Sequence, residues 1–207
     1  MKHKTLYTFL LLALLLNACL QQTPQPIPQK DIRLEYLHKP KIQTRGVQQN
    51  QKFISTIHLA LNSTLSKDPS ASIGMRMCAT SIEDIKRQYN TLLPQDSKVR
   101  RTAIKYRNPN NQPDEVDRKV MEEMITTNNL NSPVVVSVQD HYRIYTPIIT
   151  QDSCLICHGD QEHLSPKIKS IIKEYYPNDL AINFKIGELR GVVVSEIQKK
   201  RQLPTQN

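Results

Sequence analysis

The residues best suited to chemistry form one short stretch, Cys154-Leu155-Ile156-Cys157-His158. Two thiols three residues apart, followed at once by a histidine, are the attachment pattern of a c-type haem. The two cysteines would form thioether bonds with the porphyrin vinyl groups. His158 would then lie under the ring and act as the proximal iron ligand. The stretch therefore predicts one covalently bound haem.

Two other kinds of site use paired cysteines. A thioredoxin-like redox pair opens a helix after a strand in a βαβ unit, and a structural zinc site needs a second pair of ligands at suitable spacing. The sequence shows neither context around Cys154 and Cys157. These alternatives are therefore disfavoured.

The second axial ligand is expected on a helix that precedes the motif. Apolar residues recur there at helical spacing and place Cys78 on the inner face, with Met75 on the same stripe. Cys78 is the only thiol outside the motif and the N-terminal region, so it has no disulfide partner. Cys78 and Met75 remain open as alternatives. Both are preferred over the histidines His58, His141 and His163.

The N-terminus has the pattern of an export signal. Lys2 and Lys4 precede an apolar run too short to span a bilayer well, which ends in Leu16-Asn17-Ala18-Cys19. This tetrapeptide resembles a bacterial lipobox, so residues 1–18 are predicted to be a lipoprotein signal peptide and Cys19 to be lipidated. Residues 19–45 include a proline-rich tether. The expected location is the cell envelope, anchored to a membrane by lipid and facing the periplasm.

Composition allows one folded domain. The chain has 207 residues, 38% of them hydrophobic and 23% charged, and a formal charge of +9. We assign residues 46–199 to the domain and 200–207 to a polar tail. The positive charge suits an anionic surface or an acidic partner, but no recognition motif for nucleic acid is present.

Periodicity predicts an α+β fold in which N-terminal helices pack on an antiparallel sheet of four or five strands. Helices are expected from Val47, from Asp68-Pro69, from Pro113 to Thr127 and after Ser165-Pro166. Strands are expected at 100–106, 134–138, 142–149, 182–186 and 192–197.

Several sequence blocks occur together in one order: 107–115, Tyr142-Arg143-Ile144-Tyr145-Thr146-Pro147-Ile148, 154–160, 176–179 and 187–191. In this respect residues 73–197 resemble the PAS-like periplasmic c-type haem domains, which occur alone or as input domains of sensor kinases. The resemblance implies helices packed on a PAS-like antiparallel sheet with a single haem. It also implies a cysteine as second axial ligand, and Cys78 occupies the matching place.

Three further residues are predicted in the haem pocket. Arg107, Asn110 and Tyr145 are candidates to contact the haem carboxylates or to support the ligands, because carboxylates attract such donors. No catalytic acid-base set is evident, so an enzyme such as a peroxidase is disfavoured.

The function we expect is that of a membrane-tethered sensor of redox state or of a diatomic gas. Reduction would protonate and release Cys78 and thereby open an iron position for the gas. The alternative is a periplasmic electron-transfer cytochrome c. An envelope redox or signalling protein is the expected partner in either case.

Overall fold

The computed structural model describes residues 34–200, and its centre is a five-stranded sheet in the order β1-β3-β4-β5-β2. All neighbouring strands are antiparallel. The strands are β1 (Glu35–Tyr36), β2 (Ser97–Thr102), β3 (Val134–Val138), β4 (His141–Ile149) and β5 (Leu189–Gln198).

Six α-helices surround this sheet within residues 34–200. They are α1 (Pro40–Leu65), α2 (Ser72–Thr80), α3 (Ile82–Thr91), α4 (Glu115–Thr126), α5 (Leu155–His158) and α6 (Pro166–Tyr175). Short 3₁₀ turns lie at Pro109–Asn111 and Asp152–Cys154. The predicted α+β class with an antiparallel sheet is thus confirmed.

The two faces of the sheet carry separate helical layers. Successive residues of a strand point to opposite faces, and β5 uses this alternation throughout its length. Val192 and Val194 pack with α4, whereas Val193 packs with Phe53 of α1 and with α3. The central strand is therefore buried on both sides.

A third apolar cluster lies around α2 and α6. Met75 of α2 packs there with Ile168 and Ile171 of α6 and with Tyr176. Cys157 is half-buried against the same cluster. This packing places the Cys154–His158 segment beside α2.

Several predicted elements are confirmed. The hairpin formed by β3 and β4 has nearly the expected bounds, and α4 and α6 begin after the capping residues Asp114 and Ser165. No helix in residues 34–200 is long and apolar enough to cross a membrane. The predicted signal peptide and Cys19 lie outside the described residues.

Other elements differ from the prediction. The first helix begins at Pro40, so its first turns lie within the 19–45 segment that was assigned to the N-terminal tether. The second helix begins only at Ser72, because the Asp68 side chain accepts hydrogen bonds from Ser70, Ser72 and the Ile73 amide in a preceding turn. It also ends at Thr80, and α3 follows as a separate helix.

The strand predicted at 182–186 is wrong. Asn183 adopts a left-handed backbone conformation with φ 58°. The amides of Asn183 and Phe184 donate to the carbonyl oxygens of Gly159 and His158, at 2.8 and 2.9 Å. The backbone of this segment bonds to the cysteine motif rather than to a strand of the sheet. Its alternating apolar pattern therefore does not correspond to a strand.

Candidate haem site

A cavity of about 200 Å³ brings the predicted ligands together. It is lined by Cys154, Cys157 and His158 from the motif and by Met75 and Cys78 from α2. A larger depression of about 650 Å³ lies beside α5, but its lining includes His163 and none of these five residues. The smaller cavity is therefore the candidate site.

His158 is oriented by a backbone carbonyl. Its Nδ1 lies 2.7 Å from the oxygen of Ala181, which can only accept a hydrogen bond, so Nδ1 carries the proton. Phe184 packs edge-on against the imidazole, with the ring centroids 6.2 Å apart. Nε2 is left unprotonated, as a nitrogen that ligates iron must be.

The surroundings also keep this imidazole neutral. Burial lowers the pKa of His158 well below its ordinary value, and the positive charges of Arg190 and Arg107 lower it further. The hydrogen bond to Ala181 acts in the opposite direction but does not outweigh them. A neutral imidazole is the form that binds a metal ion.

The two motif cysteines are free thiols that share the cavity. Cys154 ends a 3₁₀ turn, where its sulfur accepts a hydrogen bond from the Gln151 amide at 3.4 Å. Burial raises the pKa of Cys157 to about 11, although Arg107 opposes this shift. Both thiols are thus held on one short segment, immediately before His158.

The structure distinguishes the two candidates for the second ligand. The sulfur of Met75 accepts a hydrogen bond from Nη1 of Arg107 at 3.3 Å, and the side chain is only 2% exposed. The thiol of Cys78 makes no hydrogen bond to any residue in the range 34–200, and Tyr176 donates to its backbone carbonyl instead. Burial raises the pKa of Cys78, against the opposing effect of three arginines, Arg101, Arg107 and Arg190. Cys78 is the candidate with a free sulfur.

Arg107 lines the cavity, and four of its five N–H groups donate hydrogen bonds to neighbouring residues. Nε donates to Asp179 at 3.0 Å, and Nη2 donates to the carbonyl oxygens of Cys157 and Ala181 at 2.7 and 3.1 Å. With the bond to Met75, these contacts join α2, the motif and the 179–181 loop. Arg107 was predicted to contact the haem carboxylates or to support the ligands, and these contacts favour the second of the two roles.

Asn110 and Tyr145 lie outside the cavity lining. Tyr145 is fully buried in the α4 cluster, where its hydroxyl donates to Asp117 at 2.9 Å. Asn110 is exposed in the first 3₁₀ turn, and its amide donates to the side chain of Asn108. The structure therefore does not bring these two residues to the cavity, whereas Asn108 and Asn111 line it.

Sequence reasoning missed two cavity residues, Arg101 of β2 and Arg190 of β5. Arg101 lies two residues after the buried Val99 in β2, so the two side chains are on the same face of the strand. This spacing was the signal that could have identified Arg101. Of the histidines considered as ligands, the exposed His58 lies on the cavity lining. His141 and His163 pair with Asp140 and Asp160 elsewhere.

Comparison with known proteins gives one family and one similar solved structure. The fold resembles the crystal structure of the cyanobacterial heme-protein Tll0287, with a TM-score of 0.51 and 22% sequence identity. The match covers 80% of this chain and 100% of that one. The comparison with curated proteins gave no match. The family model described as Tll0287-like (Tll0287) matches residues 29–197, and the chain therefore belongs to the Tll0287-like family.

Proposed function

We propose that this protein carries one covalently bound haem in the cavity between α2 and the cysteine motif. Cys154 and Cys157 would hold the porphyrin through thioether bonds, His158 would be the proximal ligand and Cys78 the distal ligand. The observation that carries the proposal is the state of His158, whose Nδ1 is held by Ala181 and whose Nε2 remains free in a cavity that also contains three thiols. The solved structure with a similar fold is that of a heme-protein, which supports the same proposal.

The residues present fit such a group. Apolar side chains of α1, including Ile54, Ile57 and Leu61, line one wall, as a macrocycle requires. Within residues 34–200 no cluster of three or more His, Cys, Asp or Glu side chains is arranged to hold a bare metal ion. A bound haem would supply four nitrogen ligands of its own, together with one-electron chemistry and an iron position for small gases.

Each ligand has a defined task in this proposal. Ala181 fixes the tautomer and the direction of His158, while Arg107 holds the Cys157 carbonyl next to it. An anionic sulfur from Cys78 favours ferric over ferrous iron, whereas a thioether would raise the reduction potential. On one-electron reduction, Cys78 would take up one proton and leave as a neutral thiol.

This exchange suits a sensor of redox state or of a diatomic gas. Cys78 lies on α2, which packs against α1, α3 and α6, whereas His158 lies on the separate segment α5. Movement of Cys78 would therefore pass to α1, the helix that follows the predicted tether. We propose that this movement signals to another protein of the cell envelope, to which Cys19 anchors the chain through lipid.

Electron transfer is the second candidate. The formal charge of +9, which becomes +7 when residues 1–18 with Lys2 and Lys4 are removed, would steer the chain toward an acidic redox partner. A carrier keeps both axial ligands in both oxidation states, so it differs from a sensor in its response to carbon monoxide.

The test is to produce the full chain together with a cytochrome c maturation system. We expect haem that stays on the polypeptide under denaturing conditions, and its loss when both motif cysteines are replaced by serine. Carbon monoxide should bind to the ferrous protein. A ferrous protein that remains six-coordinate and inert to the gas would contradict the sensor and favour the electron carrier.

A cell fractionation experiment tests the anchor separately. The wild-type chain should be found with the membranes, and Cys19→Ser should appear in the soluble fraction or as an uncleaved precursor. An unchanged, processed and membrane-bound Cys19→Ser protein would contradict lipidation.

A further inference from the structure

Three arginines line the cavity, and their partners differ. Arg107 donates to Asp179, to two carbonyl oxygens and to the sulfur of Met75, and Asp179 neutralises its charge. The side chain of Arg101 makes no hydrogen bond or ion pair with any residue in the range 34–200. Arg190 donates to the carbonyl of Lys105 at 3.2 Å and lies over the ring of Phe184, but it has no carboxylate partner in that range.

The nearest acids do not neutralise these two cations. Glu83 acts electrostatically on Arg101 but is paired with Lys86, and Asp179 acts on Arg190 but is paired with Arg107. Burial and the neighbouring arginines lower the pKa of Arg190 to about 10. Arg101 and Arg190 are half-buried. Guanidinium groups that are partly withdrawn from water without counter-charges are costly, so the cavity favours an anionic occupant.

An irregularity in the pairing of β4 with β5 places Arg190 at the cavity. Ile148 and Ile149 of β4 pair with Gly191 and Leu189, so Arg190 is the extra residue of a β-bulge. Such bulges re-aim a side chain next to a site. Arg101 is paired with Val193, three residues further along β5, so both arginines belong to neighbouring strands at one end of the sheet.

We propose that Arg101 and Arg190 bind the two propionate carboxylates of the haem. The inference rests on the function proposed above and names which side chains recognise the charged edge of the cofactor. Two guanidinium groups match two carboxylates in number and charge, and arginine forms strong, often bidentate bonds with this group. Arg107 is less suited to that role, because Asp179 already neutralises its charge.

The test compares two porphyrins that differ only in these carboxylates. The full chain carrying Cys154→Ala and Cys157→Ala is kept in detergent and titrated with ferric haem and with its dimethyl ester, so that affinity is measured without covalent attachment. We expect haem to bind at least about tenfold more tightly than the ester. Arg101→Gln and Arg190→Gln should each reduce this preference by about tenfold, since a charge-assisted bond is worth about one decade or more.

Arg87→Gln is the matched control, because Arg87 is an exposed arginine on α3 that pairs with Asp84. It should leave the preference unchanged, while Arg101→Lys and Arg190→Lys should restore part of it. An equal loss of affinity for both porphyrins, with the preference intact, would overturn the inference and leave the haem site standing. Failure of both porphyrins to bind the parent chain would overturn the proposed function together with the inference.

The covalent holoprotein gives a second measurement that does not depend on the titration. Resonance Raman spectra of the wild type, Arg101→Gln and Arg190→Gln should differ in the propionate bending band, and Arg87→Gln should match the wild type. An identical band in all four proteins would overturn the assignment.

Discussion

At the scale of single residues, Arg107 shows how one side chain organises the site. Its planar fork reaches a carboxylate, two carbonyl oxygens and a thioether, on three segments that are far apart in the sequence. A lysine ammonium has three donors at one point and does not reproduce this geometry. The neutralising charge comes from Asp179, at 2.9 Å from Nη2.

Replacing Arg107 should therefore destabilise the whole domain. Arg107→Gln leaves Asp179 and the carbonyl oxygens of Cys157 and Ala181 without their partner, and a buried charge that loses its partner costs about 3–5 kcal/mol. We expect a loss of about 3 kcal/mol in the free energy of unfolding, measured with urea. Arg87→Gln, at an exposed ion pair, should change it by less than about 0.5 kcal/mol. Equal stability of the two variants would contradict the positioning role.

The residues that could be predicted from sequence are those whose spacing along the chain indicates their place in the structure. The motif residues and Cys78 belong to this group, because a few neighbouring positions determine which side they face. Asn110 and Tyr145 belong to two sequence blocks that contain cavity residues. The Asn110 side chain is nevertheless exposed, and the Tyr145 hydroxyl bonds to Asp117. Arg190 was missed because a bulge reverses the alternation from which its direction would be read.

At the scale of elements, the β-bulge in β5 depends on Gly191. This residue has φ 157°, and a Cβ atom built on it would lie 2.7 Å from the Thr102 carbonyl oxygen and 2.9 Å from Cβ of Ala103. The close approach of β5 to the end of β2 thus requires the missing side chain. The same contact holds Arg190 at the edge of the cavity.

Gly191→Ala should disturb both the sheet and the arginine. Because the clash is with backbone rather than with a flexible side chain, we expect a loss of about 1–3 kcal/mol in the free energy of unfolding. Gly187→Ala is the control, since Gly187 also has a positive φ, 87°, but its Cβ would meet nothing within 4 Å. Gly187→Ala should lower the free energy of unfolding by about 1 kcal/mol. A smaller effect at Gly191 than at Gly187 would contradict the close approach.

Elements with a clear period and capping residues were predicted well. Ser165 caps its helix as expected, and the hairpin follows its alternating apolar pattern. Asp114 caps α4, whose start was expected one residue earlier, at Pro113. The strand at 182–186 failed because its backbone amides bond to His158 and Gly159, which are distant partners that a local pattern does not reveal. Strand β1 was not predicted because two residues carry no periodicity.

At the scale of the whole molecule, the cavity and a second charged cluster are built on different layers. Asp117 of α4 is buried and accepts from Arg100 of β2, Arg143 of β4 and the hydroxyl of Tyr145. Glu196 of β5 bonds to Arg100 at 2.8 Å. This cluster ties α4 to three strands and takes no part in the cavity lining.

The charged cluster should make stability depend on acid. Burial raises the pKa of Glu196, but Arg100 and Arg143 lower it by more, so the net shift is downward. Burial likewise raises the pKa of Asp114, and the Asp117 amide and Arg143 outweigh it. A lowered pKa in the folded state means that the native form holds fewer protons, so its stabilisation is full above pH about 5 and is lost as the pH falls further.

Urea unfolding at several pH values between 7 and 3 measures this effect. Glu196→Gln should be less stable than the wild type by about 1 kcal/mol at pH 7, and the gap should close toward pH 3. Glu122→Gln, on the exposed side of α4, should follow the wild type at every pH. A gap for Glu196→Gln that stays constant down to pH 3 would contradict the ion pair as its cause.

In the function proposed here, His158 and Cys78 are the two axial ligands of one haem. The most direct test is the electron paramagnetic resonance spectrum of the ferric full chain, compared with Cys78→Ala and with Met75→Leu as the matched control on the same helix. With His158 and Cys78 as ligands, we expect a low-spin thiolate signal in the wild type and in Met75→Leu, and its loss in Cys78→Ala. A thiolate signal that persists in Cys78→Ala, or a low-spin spectrum that changes only in Met75→Leu, would contradict it.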